Sequence, residues 1–225
     1  MALSTDTSRG PGEARPALVR VAIPHYYAPG TAASGYGSCR ADAKAKRLVA
    51  LSRCLGSVLA LQRGVTEEIL GIEKRQILAA DQPKYPTKML AGIQIDCHLF
   101  VQEESWLRDV VSAFGQQITV HQLSLEDPKR LPHAARDFLL QDAAESEADL
   151  SLYLEDDLVI HDRLYIDKLV WFFDKTNHQF ALTPHRFEMS GDPHHARLFV
   201  DGPMASSALP KQQQPQAAVA QGVFW

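Results

Sequence analysis

The run Glu155-Asp156-Asp157 contains the residue types that most directly suggest chemistry. It follows Leu150–Leu154, an apolar segment with the pattern of a β-strand. Three adjacent carboxylates repel one another, and partial burial increases the repulsion unless a positive charge lies among them. A hard divalent cation such as Mg²⁺ or Mn²⁺ supplies that charge and takes oxygen ligands alone. The triplet therefore predicts a metal site, with Glu155 and Asp157 on one face of the chain and Asp156 pointing away.

The sequence around the triplet is also acidic, which leaves a second interpretation open. From Asp142 to Asp162 there are eight acidic residues and no lysine or arginine. A solvated turn between a strand and a helix, with Asp162 capping the helix, would have the same composition. The apolar strand before the triplet favours the metal site, because open α/β sheets bind ligands at the carboxyl ends of their strands.

The segments that must position the triplet alternate between strand and helix patterns. Period-two or β-branched runs predict strands at Leu18–Tyr26, Ile93–Val101, Ile118–Leu125, Leu150–Leu154 and Phe180–Phe187. Helical spacing predicts helices at Asp42–Gln62, Trp106–Phe114, Pro132–Ala144 and Arg163–Lys175, and Gly64–Pro86 is assigned as helix plus loop. Strands separated by helices predict an α/β fold, a three-layer αβα sandwich with a mostly parallel central sheet.

Composition sets the domain organisation. Hydrophobic residues make up 45% and charged residues 22% of the 225 residues, which is typical of a folded globular chain. We expect a polar, disordered lead at 1–16, one domain at 17–204 and a low-complexity Ala/Gln/Pro tail at 205–225.

Charge and cysteine content exclude several classes of protein. A net charge of −4 argues against nucleic acid as a partner. Three cysteines without a CxxC pair argue against a disulfide scaffold or a structural zinc site, and favour a reducing compartment. No segment has the length of apolar sequence that a membrane span or a secretory signal requires. We therefore expect a cytoplasmic protein.

Three segments together resemble a known family. The run YLEDD after its strand is similar to the DXD region of glycosyltransferases with the GT-A fold, with Glu-Asp-Asp as the motif. The opening strand VRVAIPHYY resembles their first nucleotide-binding strand, and FALTPHRFE resembles the strand that follows the motif. The resemblance spans about residues 18–188. It implies a hexosyl transfer, dependent on Mn²⁺ or Mg²⁺, from a UDP- or GDP-linked sugar to a saccharide or other hydroxyl acceptor.

The resemblance also implies roles for individual residues. Asp157 would bind the metal, and Glu155 would reach it through water or contact the ribose. The other donor-binding positions would be Pro24, His25 and Tyr26 in the nucleotide pocket, Glu103 at the base, Arg136 at the phosphates, and Asp156 within the motif. Glu188 or Asp192 would be the catalytic base. Tyr26 packed under a loop and Arg136 as an ordinary exposed helix residue are the structural alternatives.

Three other functions fit parts of the same pattern. One is a GT-A-like binding module that has lost its chemistry. Another is a nucleotidyltransferase, although Gly30–Arg40 holds only three glycines and one arginine where that class has a basic glycine-rich signature. The third is a structural protein with an acidic surface, which would not respond to Mn²⁺ and a nucleotide.

Overall fold

The computed structural model describes most of the chain and divides it into two compact units. The described residues are 15–29, 43–64, 68–79, 90–145, 147–180, 182, 184, 186–189 and 197–200. One unit comprises Ala2–Ile166 and the other Asp167–Trp225. The acidic triplet belongs to the first unit, whereas Glu188 belongs to the second.

A four-stranded parallel sheet forms the centre of the first unit. Its strands are β1 (Ala17–His25), β4 (Ile93–Gln102), β5 (Ile118–Leu123) and β6 (Leu150–Tyr153), which lie in the order β5-β4-β1-β6. The two central strands β1 and β4 are the most apolar, because both of their faces are covered.

Helices flank both faces of this sheet. They are α1 (Lys44–Leu59), α2 (Arg108–Ser112) and α3 (Leu131–Glu145), with short 3₁₀ turns at Gly115–Gln117 and Pro128–Arg130. On one face, Ala22 of β1 packs in a cluster with Leu131 and Ala135 of α3. His25 lies three residues further along β1 and therefore faces the other side of the sheet. There it is hydrogen-bonded to Asp156, which also accepts a hydrogen bond from Arg47 of α1. The predicted α/β class is therefore confirmed as a parallel sheet with helices on both sides, an arrangement compatible with a three-layer sandwich.

The assignment of Gly64–Pro86 as helix plus loop is wrong for its described part. The structure has a hairpin there, in which β2 (Glu68–Gly71) pairs antiparallel with β3 (Gln76–Ala79). The turn between them includes Arg75 at φ +50°. The two apolar pairs of this segment, at 69–70 and 77–78, recur at a spacing that two turns of helix would also give, so periodicity alone does not separate the two structures.

Helix α4 spans Tyr165–Lys175, and the second unit includes this helix from Asp167 onward. The same unit holds a small antiparallel ribbon. The ribbon pairs β7 (Phe187–Met189) with β8 (Arg197–Phe199). The strand predicted at Phe180–Phe187 is therefore misplaced, since Leu182, Pro184 and Arg186 have no regular structure and pairing begins at its last residue. Pro184 lacks the N–H that a ladder needs, which accounts for the late start.

No helix among the described residues combines the length and apolarity that crossing a membrane requires.

Candidate functional site

The acidic triplet lies where the strand order of the sheet reverses. Counted along the chain, the four parallel strands lie in the order third, second, first, fourth. Doubly wound sheets with this order bind ligands outside the carboxyl ends of the strands, in the crevice between the first and the fourth. In this chain those strands are β1 and β6, which end at His25 and Tyr153. Residues 155–157 follow β6 directly, so they lie at this edge of the sheet.

The ladder between β1 and β6 stops before β1 ends. Asp149 donates its backbone N–H to Leu18, and Leu154 donates to Ala22, the last bond between the two strands. Even-numbered residues of β1 therefore direct their backbone groups toward β6. Pro24 is the next even-numbered residue, and proline has no N–H to leave unpaired at this opening. The chain thus ends the pairing without a buried unsatisfied donor.

Asp156 is the carboxylate of the triplet that turns inward. Its Oδ2 lies 2.5 Å from Nδ1 of His25, which is 1% exposed. Nε2 of the same ring accepts the backbone N–H of Leu107 at 3.2 Å. Because Nε2 is an acceptor, the neutral imidazole carries its proton on Nδ1 and donates it to Asp156. One buried histidine therefore joins the segment after β4 to the segment after β6.

Arg47 of α1 provides the positive charge beside the triplet. Its guanidinium donates to Asp156, and its Nη1 lies 3.7 Å from Oδ2 of Asp157. The side chain of Arg47 is only 15% exposed. The like charges of the motif are thus compensated from within the protein at Asp156, and partly at Asp157.

The pKa of Asp156 reflects these contacts. Burial alone would raise the pKa of this carboxyl, but the hydrogen bond from His25, together with the charge and hydrogen bond of Arg47, holds it below its ordinary value. Asp156 is therefore ionised at neutral pH and holds His25 and Arg47 in place.

Helix α1 also fixes the backbone on both sides of Asp156. The thiol of Cys54 lies 3.5 Å from the carbonyl oxygen of Glu155, and Ile160 donates its N–H to the hydroxyl of Ser57. Glu155 and Asp157 are exposed, whereas Asp156 is buried. The exposure of the three side chains thus alternates as predicted, and a metal site shared by Glu155 and Asp157 stays a prediction.

Asp157, one of the two exposed carboxylates of the triplet, borders a shallow open hollow of about 430 Å³. Asp157 and Val159 form one side, and the flank of α1 with Lys46 and Arg53 forms the other. Within the described residues, no group of three or more His, Cys, Asp or Glu side chains is arranged to hold a metal ion. Two exposed carboxylates remain sufficient for Mg²⁺, which usually takes one or two carboxylates and completes its shell with water and substrate phosphates.

The two tyrosines after β1 have different surroundings. Tyr26 is partly exposed and packs against the cluster under α3. Tyr27 is 4% exposed, and its backbone N–H donates to Ser105. Of the two tyrosines, Tyr26 thus has the ring surface that is open to a ligand in the predicted nucleotide pocket.

The remaining predicted site residues lie in several places. Glu103, at φ +37° just after β4, accepts a hydrogen bond from Ser124 through its carboxylate. Arg136 is exposed on α3 and pairs with its neighbour Asp137. Glu188 is exposed on β7 in the second unit. Asp192 lies outside the described residues. The structure brings together His25, Asp156 and Asp157, and the roles of the other residues stay predictions.

Arg47 belongs to the site but has no motif of its own, and sequence reasoning misses it. It precedes the buried residues Leu51, Cys54 and Val58 of α1 by four, seven and eleven positions. That spacing places it on the inward stripe of the helix, which is the signal that could have identified it. The amide of Leu107 left no comparable signal, because any residue there has an N–H.

No protein-family model, curated protein or solved structure matches this chain.

Proposed function

We propose that this protein is a metal-dependent glycosyltransferase whose nucleotide-sugar donor binds at the carboxyl edge of β1 and β6. The observation that carries the proposal is the position of Glu155-Asp156-Asp157 at the reversal of strand order. A sheet of this topology offers its ligand crevice there. A carboxylate motif at that position is suited to a cation bound to a diphosphate.

The three acidic residues have separate tasks in this proposal. Asp156 is occupied by His25 and Arg47, so it maintains the site and does not bind the metal directly. Asp157 and Glu155 are exposed and would hold Mn²⁺ or Mg²⁺, Asp157 directly and Glu155 through water or the donor's ribose. The bound metal supplies Lewis-acid stabilisation of the charge that grows on the departing diphosphate.

Other residues would bind the donor. Pro24 and buried His25 end β1 beside the crevice, where His25 would position the motif through Asp156. The partly exposed ring of Tyr26, which follows β1, would stack on the base. Arg136 would interact with phosphate oxygens, for which a guanidinium is well suited. Glu103 would contact the base. These roles come from the resemblance, and the partners of Arg136 and Glu103 in this structure are Asp137 and Ser124.

An inverting transfer requires a carboxylate base, for which the resemblance makes Glu188 and Asp192 the candidates. The acceptor hydroxyl oxygen would bond to the anomeric carbon of the sugar while the bond from that carbon to the diphosphate oxygen breaks. The hydroxyl proton passes to the base, and a nucleoside diphosphate leaves.

Calorimetric titration of the full chain with UDP and GDP, with and without Mn²⁺, tests donor binding. We expect one nucleotide to bind in the presence of Mn²⁺ and Asp157→Asn to weaken that binding about tenfold or more, because a metal ligand is lost. Glu145→Gln is the matched control. It removes one exposed negative charge at the last residue of α3, near the opposite edge of the sheet, and should bind as the wild type does.

A panel of UDP- and GDP-sugars with saccharide acceptors then tests transfer. Metal-dependent binding without transfer would favour a binding module, and release of pyrophosphate from a nucleoside triphosphate would favour a nucleotidyltransferase. Equal binding by the wild type and Asp157→Asn, or none by either, would contradict the proposal.

A further inference from the structure

The side chains of His98 and His121 are hydrogen-bonded to each other beneath α3, on the face of the sheet opposite Arg47. Nδ1 of His98 on β4 lies 2.8 Å from Nε2 of His121 on β5. In the ladder between β4 and β5, His121 is paired with Phe100, which is two residues after His98. The two imidazoles are therefore diagonal neighbours on the same face of adjacent strands. His98 is 8% exposed, and His121 is partly exposed on the edge strand.

The aromatic side chain of Phe138 attaches α3 to this pair. Its ring centroid lies 4.6 Å from that of His98 and 5.3 Å from that of His121. His121 also stacks on Phe100, with centroids 4.5 Å apart and planes 6° from parallel. His121 is therefore in ring contact both with Phe138 of α3 and with Phe100 of the cluster on which α3 packs.

Charged groups from three neighbouring segments surround the pair. On β4, Oδ2 of Asp96 lies 3.0 Å from Nε2 of His98. On β1, Arg20 bonds to Asp96 at 2.9 Å and lies over the ring of Phe138. Arg20 in turn pairs with Asp142 of α3 and with Glu147 after it. The histidines thus have one carboxylate in direct contact, and Arg20 connects that carboxylate to α3.

These distances limit how many protons the pair can hold. With one proton on each ring, Nε2–H of His98 faces the Asp96 carboxylate without a hydrogen bond, and Nδ1 of His98 accepts from His121. With one further proton, His98 has an N–H on both nitrogens and donates from Nδ1, and Nε2 of His121 becomes the acceptor. With two further protons, an N–H faces an N–H across 2.8 Å, and two positive rings repel each other. The pair therefore accepts one added proton without losing its hydrogen bond, but a second breaks it.

We propose that the hydrogen bond between His98 and His121, here called the latch, holds α3 against the sheet at neutral pH. In mild acid a second added proton breaks this hydrogen bond and releases α3. When the second proton binds, His121 leaves Phe100 and Phe138 for solvent, because it lies on the edge strand. The direction agrees with the environment of His121, since burial, and then the charge of His98, lower its pKa. Asp96, whose pKa is held low by His98 and Arg20 against the effect of burial, stays ionised through the same range. The transition therefore belongs to the imidazoles.

Hydrogen exchange of the full-length protein, read peptide by peptide, tests the latch. After correction for the intrinsic effect of pH on exchange, we expect protection in α3 to fall about tenfold or more, relative to α1, between pH values of about 7.5 and 5.5. His121→Gln can still donate to His98 but cannot be protonated, so α3 should stay protected across that range. His133→Gln removes an exposed histidine from α3 itself and should leave the wild-type response unchanged.

The same loss of protection in His121→Gln and the wild type would overturn the proposal, as would a wild-type α3 that does not respond to pH. If His121→Gln does not fold, nitrogen NMR of the wild-type imidazoles gives a direct measurement. Two separate protonation steps, with exchange broadening in α3 at the second, are expected. Independent titration of the two rings would overturn the latch.

Discussion

His25, at the end of β1, and Asp156, just after the end of β6, form a buried pair although they are 131 residues apart in the sequence. The pair joins the opening strand of the sheet to the acidic motif, and the Leu107 amide bonded to the same ring adds the segment after β4. The geometry of the candidate site therefore depends on one imidazole in one tautomer.

Replacing His25 with Phe should destabilise the protein. The change leaves the Asp156 carboxylate without the hydrogen bond from His25 and the Leu107 N–H without its acceptor, and these two buried losses together cost about 3 kcal/mol. Urea unfolding followed by circular dichroism measures the difference. His133→Phe, at an exposed position of α3, should change stability by less than about 0.5 kcal/mol. Equal effects of the two substitutions would show that the buried contacts contribute little.

Asp156 should contribute to the acid sensitivity of the fold. Its folded-state pKa lies below the ordinary value, so its ionised form stabilises the protein in full above the unfolded-state pKa of about 3.9. That stability is lost as pH falls through the folded-state pKa. The difference in the free energy of unfolding between wild type and Asp156→Asn should thus be largest near neutral pH and decrease below about pH 4. A difference independent of pH would mean that ionisation of Asp156 is not the cause.

Cys54 and Cys97 should resist alkylation in the folded protein. Burial raises the pKa of the Cys97 thiol to about 12. Burial also raises the pKa of Cys54, and the negative charge of Asp156 adds to this effect. Since the thiolate is the reactive form, iodoacetamide near pH 8 should modify neither residue until urea unfolds the chain. Peptide mass spectrometry measures the labelling at each position, and rapid labelling of either cysteine without urea would contradict the prediction.

Two leucines of α3 provide a matched test of how this helix packs. Leu131 is 1% exposed and lies in the cluster with Ala22 and Phe100, whereas Leu140 is 61% exposed. Leu131→Ala should reduce the free energy of unfolding by about 3 kcal/mol, because it leaves a cavity. Leu140→Ala should change it by less than about 0.5 kcal/mol. Chemical denaturation of both variants decides the matter, and similar losses would mean that α3 is packed in a different rotation about its axis.

The sheet was largely predictable from the sequence. The β-branched runs at Ile93 and Ile118 predict strands that the structure also begins at those residues. The pattern fails where elements are short. The hairpin of β2 and β3 has four-residue strands, and three-residue β8 was missed, because so few side chains cannot establish a period.

The candidate site was predictable in part. An apolar strand that ends in three carboxylates indicates the edge of the sheet on which a ligand would bind, and that edge is where the structure places Asp157. The partners of Asp156 were harder to predict, because Arg47 and the Leu107 amide come from distant parts of the chain. Their proximity depends on strand order and on the rotation of α1, which local sequence patterns do not determine.

Pro24 has a further consequence for the crevice between β1 and β6. Any other residue at this position would present an N–H on the side facing β6. The two strands could then form one more backbone hydrogen bond. That bond would reach the carbonyl of Leu154 and extend the ladder toward the acidic motif. Because Pro24 has no N–H, the pairing ends at Ala22 and Leu154, and the backbone of residues 155–157 lies outside the sheet.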